Sequence, residues 1–242
     1  MKMLSLQGVS KNFWGLRAVS DVSFDVDQGQ MVGLMGANGA GKTTLFNLIT
    51  GHLAPSHGQI LLNGENIAGL RPDAICRRGV GRTFQIVKPF PGLSVRDNLM
   101  TAALFGSDRY RNREAARQHC EDILGETGMS ALADVPASDL TLARQKKLEL
   151  ARAVATDCKL LLLDEVMAGL TPTEVAEVTA TIRQLHAARG LTVLIIEHVM
   201  RALMDLSERI VVLHHGEKIA EGAPEEIASN SRVHEVYFGE AV

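Results

Sequence analysis

The chain has 242 residues, of which 46% are hydrophobic, and a formal net charge of −3. This length suffices to bury a full core, and the slightly acidic balance excludes a globally basic surface that recruits nucleic acid or acidic membranes. No window approaches 18 uninterrupted apolar residues, so we expect no membrane-spanning helix, and any work on a membrane must pass through another polypeptide. The three scattered cysteines and the lack of an apolar signal core at the N-terminus predict a cytosolic protein with reduced thiols.

The first part of the chain predicts a small antiparallel sheet. Polar and apolar residues alternate over 4–11 and again over 19–26, and Gln28-Gly29 suits the turn after the second strand. Phe13 and Trp14 lie in the turn between the two strands. From composition alone, these aromatic residues either cap the small sheet or serve a function.

A glycine-rich loop follows, and the rest of the chain is organised around it. Residues 36–44 read Gly-Ala-Asn-Gly-Ala-Gly-Lys-Thr-Thr, between a short apolar strand at 31–35 and a helix from Lys42. Strand, loop and helix direct backbone N–H groups and the positive end of the helix dipole at one point, which favours polyphosphate. Lys42 would reach the outer phosphates and the Thr43 hydroxyl would bind Mg²⁺. The alternative is a glycine-rich turn that binds nothing.

The middle of the chain predicts two strands with a short helix between them, then a break in regular structure, and then further helices. Gln59–Leu62 suits a strand that is followed by an Asn63-Gly64 turn. Residues 71–78 suit a short helix, and Val80–Phe84 suits a strand that ends at Gln85. Proline and glycine break the chain after Lys88. Ser94 then suits the N-cap of a helix, and 114–124 is an amphipathic helix. Its arginines indicate a solvated face rather than a nucleic-acid patch, because no aromatic residue interleaves with them. We expect 88–157 to be a helical subdomain inserted into a nucleotide-binding α/β core of 1–87 plus 158–242.

Two strands in the last third deliver polar residues at their ends. Residues 159–163 form an apolar strand followed by Asp164 and Glu165, and 191–196 form another followed by Glu197-His198. The remaining predicted elements are helices at 173–187 and 200–206, a hairpin of 209–213 with 218–220, and a helical segment from Pro224.

These strand-end residues suit nucleotide chemistry. Asp164 has the position of an acid that holds Mg²⁺, and Glu165 could polarise an attacking water as general base. His198 would face the same sheet edge and contact the γ-phosphate, although a lone histidine also suits a purely structural role.

With these motifs in this order, the chain resembles ATP-binding cassette (ABC) ATPases over essentially its whole length. The resemblance identifies 36–44 as Walker A, Gln85 as the Q-loop glutamine serving catalysis and metal, 160–165 as Walker B, and His198 as the H-loop histidine. Phe13 falls where the family has an aromatic residue that stacks on adenine. The implied nucleotide-binding residues of the loop are Gly36, Asn38, Gly39, Ala40, Gly41, Lys42, Thr43 and Thr44. A P-loop NTPase fold of the ABC type is implied, with an antiparallel β subdomain, an inserted helical subdomain, and ATP and Mg²⁺ as cofactors.

A finer resemblance is to the ATP-binding subunits of branched-chain amino-acid importers. It is carried by 82–85, 148–152, 168–174 and the tail 237–240. It implies a cytoplasmic ATPase on the inner face of the membrane that works with permeases, a second ATPase subunit and, indirectly, a solute-binding protein. The lipopolysaccharide-export ATPase is a close relative, which leaves lipid export as an alternative. A regulatory ATP-binding subunit without hydrolysis is a third, against which Glu165 and His198 argue.

The chain departs from the family at the signature that should contact the partner's ATP. Leu140–Arg144 stands in place of the LSGGQ motif; Thr141 keeps a hydroxyl, while Leu142 and Ala143 replace both glycines and Arg144 replaces glutamine. A β-carbon at Ala143 is expected to hinder the approach of backbone to phosphate. Because branched-chain importers of this resemblance use two different ATPase subunits, we expect a heterodimer with unequal sites.

Overall fold

The computed structural model describes residues 1–85, 88–106, 110 and 112–238. They form two compact units, one of residues 1–75 with the chain from Thr192 onward, and one of residues 76–191. The predicted helical subdomain at 88–157 has other limits than these units and stays a prediction. The elements, in chain order, are β1 (Lys2–Phe13), β2 (Leu16–Asp27), β3 (Met31–Gly36), α1 (Lys42–Ile49), β4 (His57–Leu62), β5 (Glu65–Asn66), α2 (Pro72–Arg77), β6 (Val80–Arg82), α3 (Val95–Gly106), α4 (Arg113–Glu126), α5 (Leu142–Ala155), β7 (Leu160–Asp164), α6 (Pro172–Arg189), β8 (Thr192–Ile196), α7 (Met200–Leu206), β9 (Arg209–His214), β10 (Glu217–Gly222), α8 (Pro224–Ala228) and α9 (Ser231–Phe238).

The first unit opens with an antiparallel sheet in the strand order β2-β1-β4-β5, as its alternating pattern predicts. β1 and β2 are joined by the turn Trp14-Gly15, in which φ is 41° and 96°. The predicted Asn63-Gly64 turn joins β4 to β5 with φ of 50° and 85°. Positive φ at both positions matches the twist of a two-residue hairpin. The sheet buries one apolar face, which includes Leu4, Leu6, Val9, Val22, Phe24 and Val26.

A second sheet of the first unit places the glycine-rich loop. β3 runs parallel to both β8 and β9, and β10 pairs antiparallel with β9 through the predicted hairpin. β8 is buried along its whole length and β3 along nearly all of it, as expected for apolar strands covered on both faces. Because parallel neighbours end at the same edge, the loop after Gly36 and the segment after Ile196 leave this sheet on one side.

The second unit contains the parallel pair β6 and β7. The predicted strand Val80–Phe84 is two residues too long, since β6 ends at Arg82. There the chain leaves the sheet, the Thr83 Oγ1 accepts a hydrogen bond from the Asp164 N–H at 3.1 Å, and Phe84 is exposed. The register that pairs Val80 with Leu160 brings the end of each strand to a common edge.

Helices complete the second unit. Ser94 caps α3 as predicted, because its Oγ accepts from the Asp97 N–H at 3.0 Å. α3 packs against both α4 and α5. The apolar face predicted for α4 is fully buried at Ala116, Cys120, Ile123 and Leu124. No helix in the described part of the chain is long and apolar enough to cross a membrane.

Candidate functional site

The glycine-rich loop connects β3 directly to α1 and surrounds the side chain of Lys42. The Lys42 ammonium donates to the carbonyl oxygens of Gly36 at 2.5 Å and Ala37 at 3.1 Å, and the residue is only 6% exposed. A buried ammonium needs such oxygen partners. The sequence-predicted lysine therefore lies inside the loop rather than on the protein surface.

Two glycines allow neighbouring strands to approach this loop. A Cβ on Gly41, where φ is +100°, would lie 2.5 Å from the Ala18 carbonyl oxygen. A Cβ on Gly36 would lie 2.7 Å from the Leu213 carbonyl oxygen. Both distances are shorter than any real Cβ contact, so β2 and β9 can border the loop only because these positions lack side chains.

The loop offers the donors that a polyphosphate needs. α1 starts at Lys42, so the N–H groups of its first turn have no intrahelical acceptor. Ala37, Asn38 and Gly39 are exposed at the tip of the loop, whereas Ala40 is buried. Thr43 is exposed as the second residue of α1. Amide donors, a lysine and an exposed hydroxyl at a helix N-terminus together fit a nucleotide polyphosphate with its metal ion.

Two further predicted residues of the first unit lie at or just beyond the end of a strand. Phe13 is the last residue of β1, is 40% exposed, and has the Lys11 ammonium 5.1 Å from its ring centroid. Trp14, the next residue, is fully exposed, so this aromatic pair does not cap the small sheet. His198 is exposed two residues beyond β8, at the sheet edge from which the glycine-rich loop also leaves.

The second unit holds the acid pair at the end of β7. Asp164 is its last strand residue and forms an ion pair with Arg82, from NH2 to Oδ2 at 2.7 Å. The two side chains are 4% and 7% exposed. Sequence reasoning missed Arg82 as a partner of this acid, because the two residues are 82 positions apart. The ion pair fixes the orientation of the Asp164 carboxylate at the end of β7.

Glu165 and Gln85 are in direct contact. The Gln85 Nε2 donates to the Glu165 Oε2 at 2.6 Å. Glu165 has a φ of +52°, in the left-handed region that a residue with a side chain seldom occupies. Such backbone conformations concentrate at functional sites, where the surroundings hold them in place. The structure thus brings together the predicted base and the predicted Q-loop glutamine.

The signature-like segment opens α5. Thr141 is the N-cap residue, with Leu142 and Arg144 exposed in the first helical turn. Ala143 is only 6% exposed, whereas Leu142 is 45% exposed. The larger exposed side chain that replaces a glycine is therefore Leu142, and the steric hindrance expected from Ala143 stays a prediction.

Thr171 caps α6. Its Oγ1 accepts from the Glu174 N–H, while the Glu174 carboxylate accepts from the Thr171 N–H at 2.8 Å. This reciprocal capping box starts the helix ahead of Pro172. Thr171 thus has a local structural role.

Comparisons with known proteins agree with this geometry. The family model described as "ABC transporter" matches residues 19–168, more than half of the chain. The chain belongs to the ABC transporter family. It is an ATPase of that family, with a P-loop NTPase fold of the ABC type. A second model, described as "Branched-chain amino acid ATP-binding cassette transporter", matches residues 217–242.

Relatives of this ABC ATPase align along its full length. The high-affinity branched-chain amino acid transport ATP-binding protein BraF of Pseudomonas aeruginosa is 39% identical, and LivG of Escherichia coli, with the same description, is 38% identical. Each alignment covers 99% of this chain and 98% of the relative. The lipopolysaccharide export system ATP-binding protein LptB of Haemophilus influenzae is 34% identical over 99% of this chain and 98% of its own length.

Solved structures support the same fold. A nucleotide-free ATP-binding cassette from an ABC transporter superposes with a TM-score of 0.89 at 30% identity, covering 99% of this chain and all of that chain. The ADP conformation of another ATP-binding cassette of an ABC transporter gives a TM-score of 0.89 at 29% identity, with the same coverage.

Proposed function

We propose that this ABC ATPase powers the import of branched-chain amino acids, or of a related small organic solute, through separate membrane permeases. The observation that carries the proposal is the match of residues 217–242 to the branched-chain amino acid transporter model. The relatives BraF and LivG support the same substrate class, since both are described as branched-chain amino acid transport proteins. The ATPase itself never touches the solute in this proposal.

The nucleotide roles follow the chemistry of the residues. Lys42 and the loop amides bind the phosphates, and Phe13 stacks on the adenine. Thr43, Gln85 and Asp164 would hold Mg²⁺. The ion would neutralise the charge of the phosphates. The proposal is supported by the hydroxyl, amide and carboxylate oxygens that these side chains offer, which are the ligands magnesium prefers.

Hydrolysis is assigned to Glu165 as the general base. Its carboxylate accepts from the Gln85 amide at 2.6 Å, a contact that orients the acid. His198 contacts the γ-phosphate, a role that suits its exposed position beyond β8. Thr141 and Ala143 would contact a partner subunit's nucleotide through the signature-like segment.

The partners are expected from the same proposal. A second ATPase subunit closes head to tail on this one, and the substituted signature favours a heterodimer over a homodimer. Permeases hold the pair on the inner face of the cell membrane, and a solute-binding protein acts indirectly. Within the chain, the helical subdomain at 88–157 carries the signature-like segment, and 1–87 with 158–242 form the nucleotide-binding core.

A second candidate function is lipid export. The 34% identity to the lipopolysaccharide-export ATPase of Haemophilus influenzae extends over the full chain. The C-terminal match favours import, because the model that residues 217–242 fit is described as a branched-chain amino acid transporter. A purely regulatory ATP-binding role is disfavoured by the presence of Glu165 and His198.

A transport assay in the native host tests the proposal. The gene is deleted and complemented with the wild type, with Lys42→Ala, or with Lys159→Ala, whose side chain is exposed outside the site. Uptake of radiolabelled leucine, isoleucine and valine is measured at micromolar concentration. We expect the wild type and Lys159→Ala to restore uptake and Lys42→Ala to fail. Unchanged uptake in the deletion strain, with lipopolysaccharide lost from the cell surface, would establish export instead.

A further inference from the structure

One buried cation of the second unit contacts both predicted catalytic segments. Lys146, in the second turn of α5, is 4% exposed. Its ammonium donates to the carbonyl oxygen of Gln85 at 3.0 Å and to that of Glu165 at 3.3 Å. No motif singles this lysine out, and its partners lie 61 and 19 residues away along the chain.

Two more charged residues continue the same side of α5 toward the segment after Gln85. Glu149 accepts from the Lys88 N–H at 3.0 Å, and Arg152 donates to the Lys88 carbonyl oxygen at 3.0 Å. The spacing of three residues places Lys146, Glu149 and Arg152 on one side of the helix. Together they bind the backbone of residues 85 and 88. The helix that begins with the signature-like segment is thereby bonded to the Q-loop glutamine.

The cost of burying an ammonium group indicates that the hydrogen bonds of Lys146 matter, and not only the volume of its side chain. A buried ammonium is costly unless its donors find oxygen partners, and two main-chain carbonyls supply them here. The hydrogen bond from Lys146 also holds the carbonyl group of Glu165, a residue whose φ of +52° is seldom adopted by a residue with a side chain. A side chain without donors would release both carbonyls, and the carboxylate of Glu165 would lose the backbone orientation that directs it.

We propose that Lys146 is a positioning residue for ATP hydrolysis. Its ammonium fixes the backbone of Gln85 and Glu165, so that the orientation of the general base depends on the helix carrying the signature-like segment. This inference rests on the proposed function, because it assigns hydrolysis to Glu165. Lys146 itself touches neither nucleotide nor water in this role and acts only through Glu165 and Gln85.

A double-mutant cycle on the full-length chain tests the inference. Lys146→Met removes the donors and keeps an unbranched side chain, and Lys146→Arg keeps donors at a similar reach. Lys147→Met is the matched control. This neighbour forms an ion pair with Glu177 at 3.3 Å, in which the Lys147 side chain is 19% exposed and the Glu177 side chain 57% exposed. Each change is made in the wild type and in Glu165→Gln, and kcat, KM for MgATP and thermal unfolding are measured.

The expected results separate positioning from general loss of structure. Lys146→Met lowers kcat roughly 10- to 100-fold with little change in KM, because small misplacement of a catalytic group costs this much. Lys146→Arg recovers most of the loss, and Lys147→Met stays within about twofold of the wild type. In the Glu165→Gln background, Lys146→Met changes the residual rate by less than about threefold.

Two results would overturn the inference. One is wild-type kcat in folded Lys146→Met; the other is an equal loss of rate with and without Glu165, which would place the effect elsewhere. If Lys146→Met does not fold, Lys146→Leu, which also lacks donors, takes its place in the cycle with the same criteria. A normal rate in Glu165→Gln alone would instead contradict the proposed function.

Discussion

Arg82 and Asp164 form a buried ion pair, with the guanidinium NH2 2.7 Å from the carboxylate Oδ2. The Thr83 Oγ1 accepts from the Asp164 N–H, so the last residue of β6 and the residue after it fix the acid through its side chain and its backbone. The Arg82 guanidinium also lies 5.1 Å from the centroid of the Phe84 ring. The metal-binding acid of the proposed function is thereby held by the strand that leads to Gln85.

Removing the arginine should destabilise the protein. We expect Arg82→Met to lower the free energy of unfolding by about 3–5 kcal/mol, because Asp164 would remain as an uncompensated buried charge. Urea unfolding measures the change, with Arg117→Met on the exposed side of α4 as control. The double variant Arg82→Met/Asp164→Asn should recover part of the loss. Equal stability of Arg82→Met and the wild type would show that the ion pair contributes nothing.

Phe13 should affect the binding of the adenine of ATP and not the binding of its phosphates. Stacking of an aromatic side chain on a base contributes about 1–3 kcal/mol, so Phe13→Ala should weaken ATP binding by roughly 5- to 150-fold. Binding of inorganic tripolyphosphate should be unchanged, and Leu16→Ala, across the hairpin turn, should bind ATP normally. Calorimetric titration gives these affinities. An equal loss of affinity for both ligands would argue against adenine stacking at Phe13.

The loop lysine should be indispensable for nucleotide binding. Lys42→Ala should lose most MgATP binding, because the phosphates lose their main positive partner. Equilibrium dialysis with labelled ATP measures this, with Lys159→Ala as an exposed control. Wild-type affinity in Lys42→Ala would remove the glycine-rich loop from the nucleotide site.

The signature-like segment should matter for a partner's site. In the assembled ATPase pair, the combined change Thr141→Ser, Leu142→Gly, Ala143→Gly and Arg144→Gln should raise turnover at the site that this segment completes. The reason is removal of the exposed Leu142 side chain and the β-carbon at 143, although each glycine weakens α5 by up to about 1 kcal/mol. Turnover is measured with Lys42→Ala silencing the other site, and Thr141→Ser alone serves as control. Unchanged turnover at both sites, or a fully active homodimer, would contradict an asymmetric pair.

Motifs with fixed spacing were predictable because their chemistry is local. The glycine-rich loop lies between strand and helix as predicted, and the hairpin at Asn63-Gly64 follows from two residues that tolerate positive φ. The end of β6 at Arg82 was not predictable, because it depends on a hydrogen bond from Asp164 to Thr83, 81 residues apart.

Long-range contacts also explain which site residues the sequence did not predict. Arg82 and Lys146 look like ordinary basic residues of a strand and a helix. Their roles depend on tertiary burial beside Asp164, Gln85 and Glu165. Periodicity reports which face of an element is apolar, and it carries no information about a buried cation that binds main-chain carbonyls.

Steady-state hydrolysis of MgATP by Glu165→Gln tests most directly whether Glu165, the residue directly after β7, is the general base of this ATPase. Glutamine keeps the size of the side chain and removes the base, so we expect intact ATP binding and hydrolysis slowed by roughly 10²-fold or more. The exposed Glu177→Gln should retain the wild-type rate. ATP should accumulate on the Glu165→Gln protein in a closed dimer. Wild-type hydrolysis with full Mg²⁺ dependence in Glu165→Gln would contradict the assignment and move the base elsewhere, with His198 the next candidate.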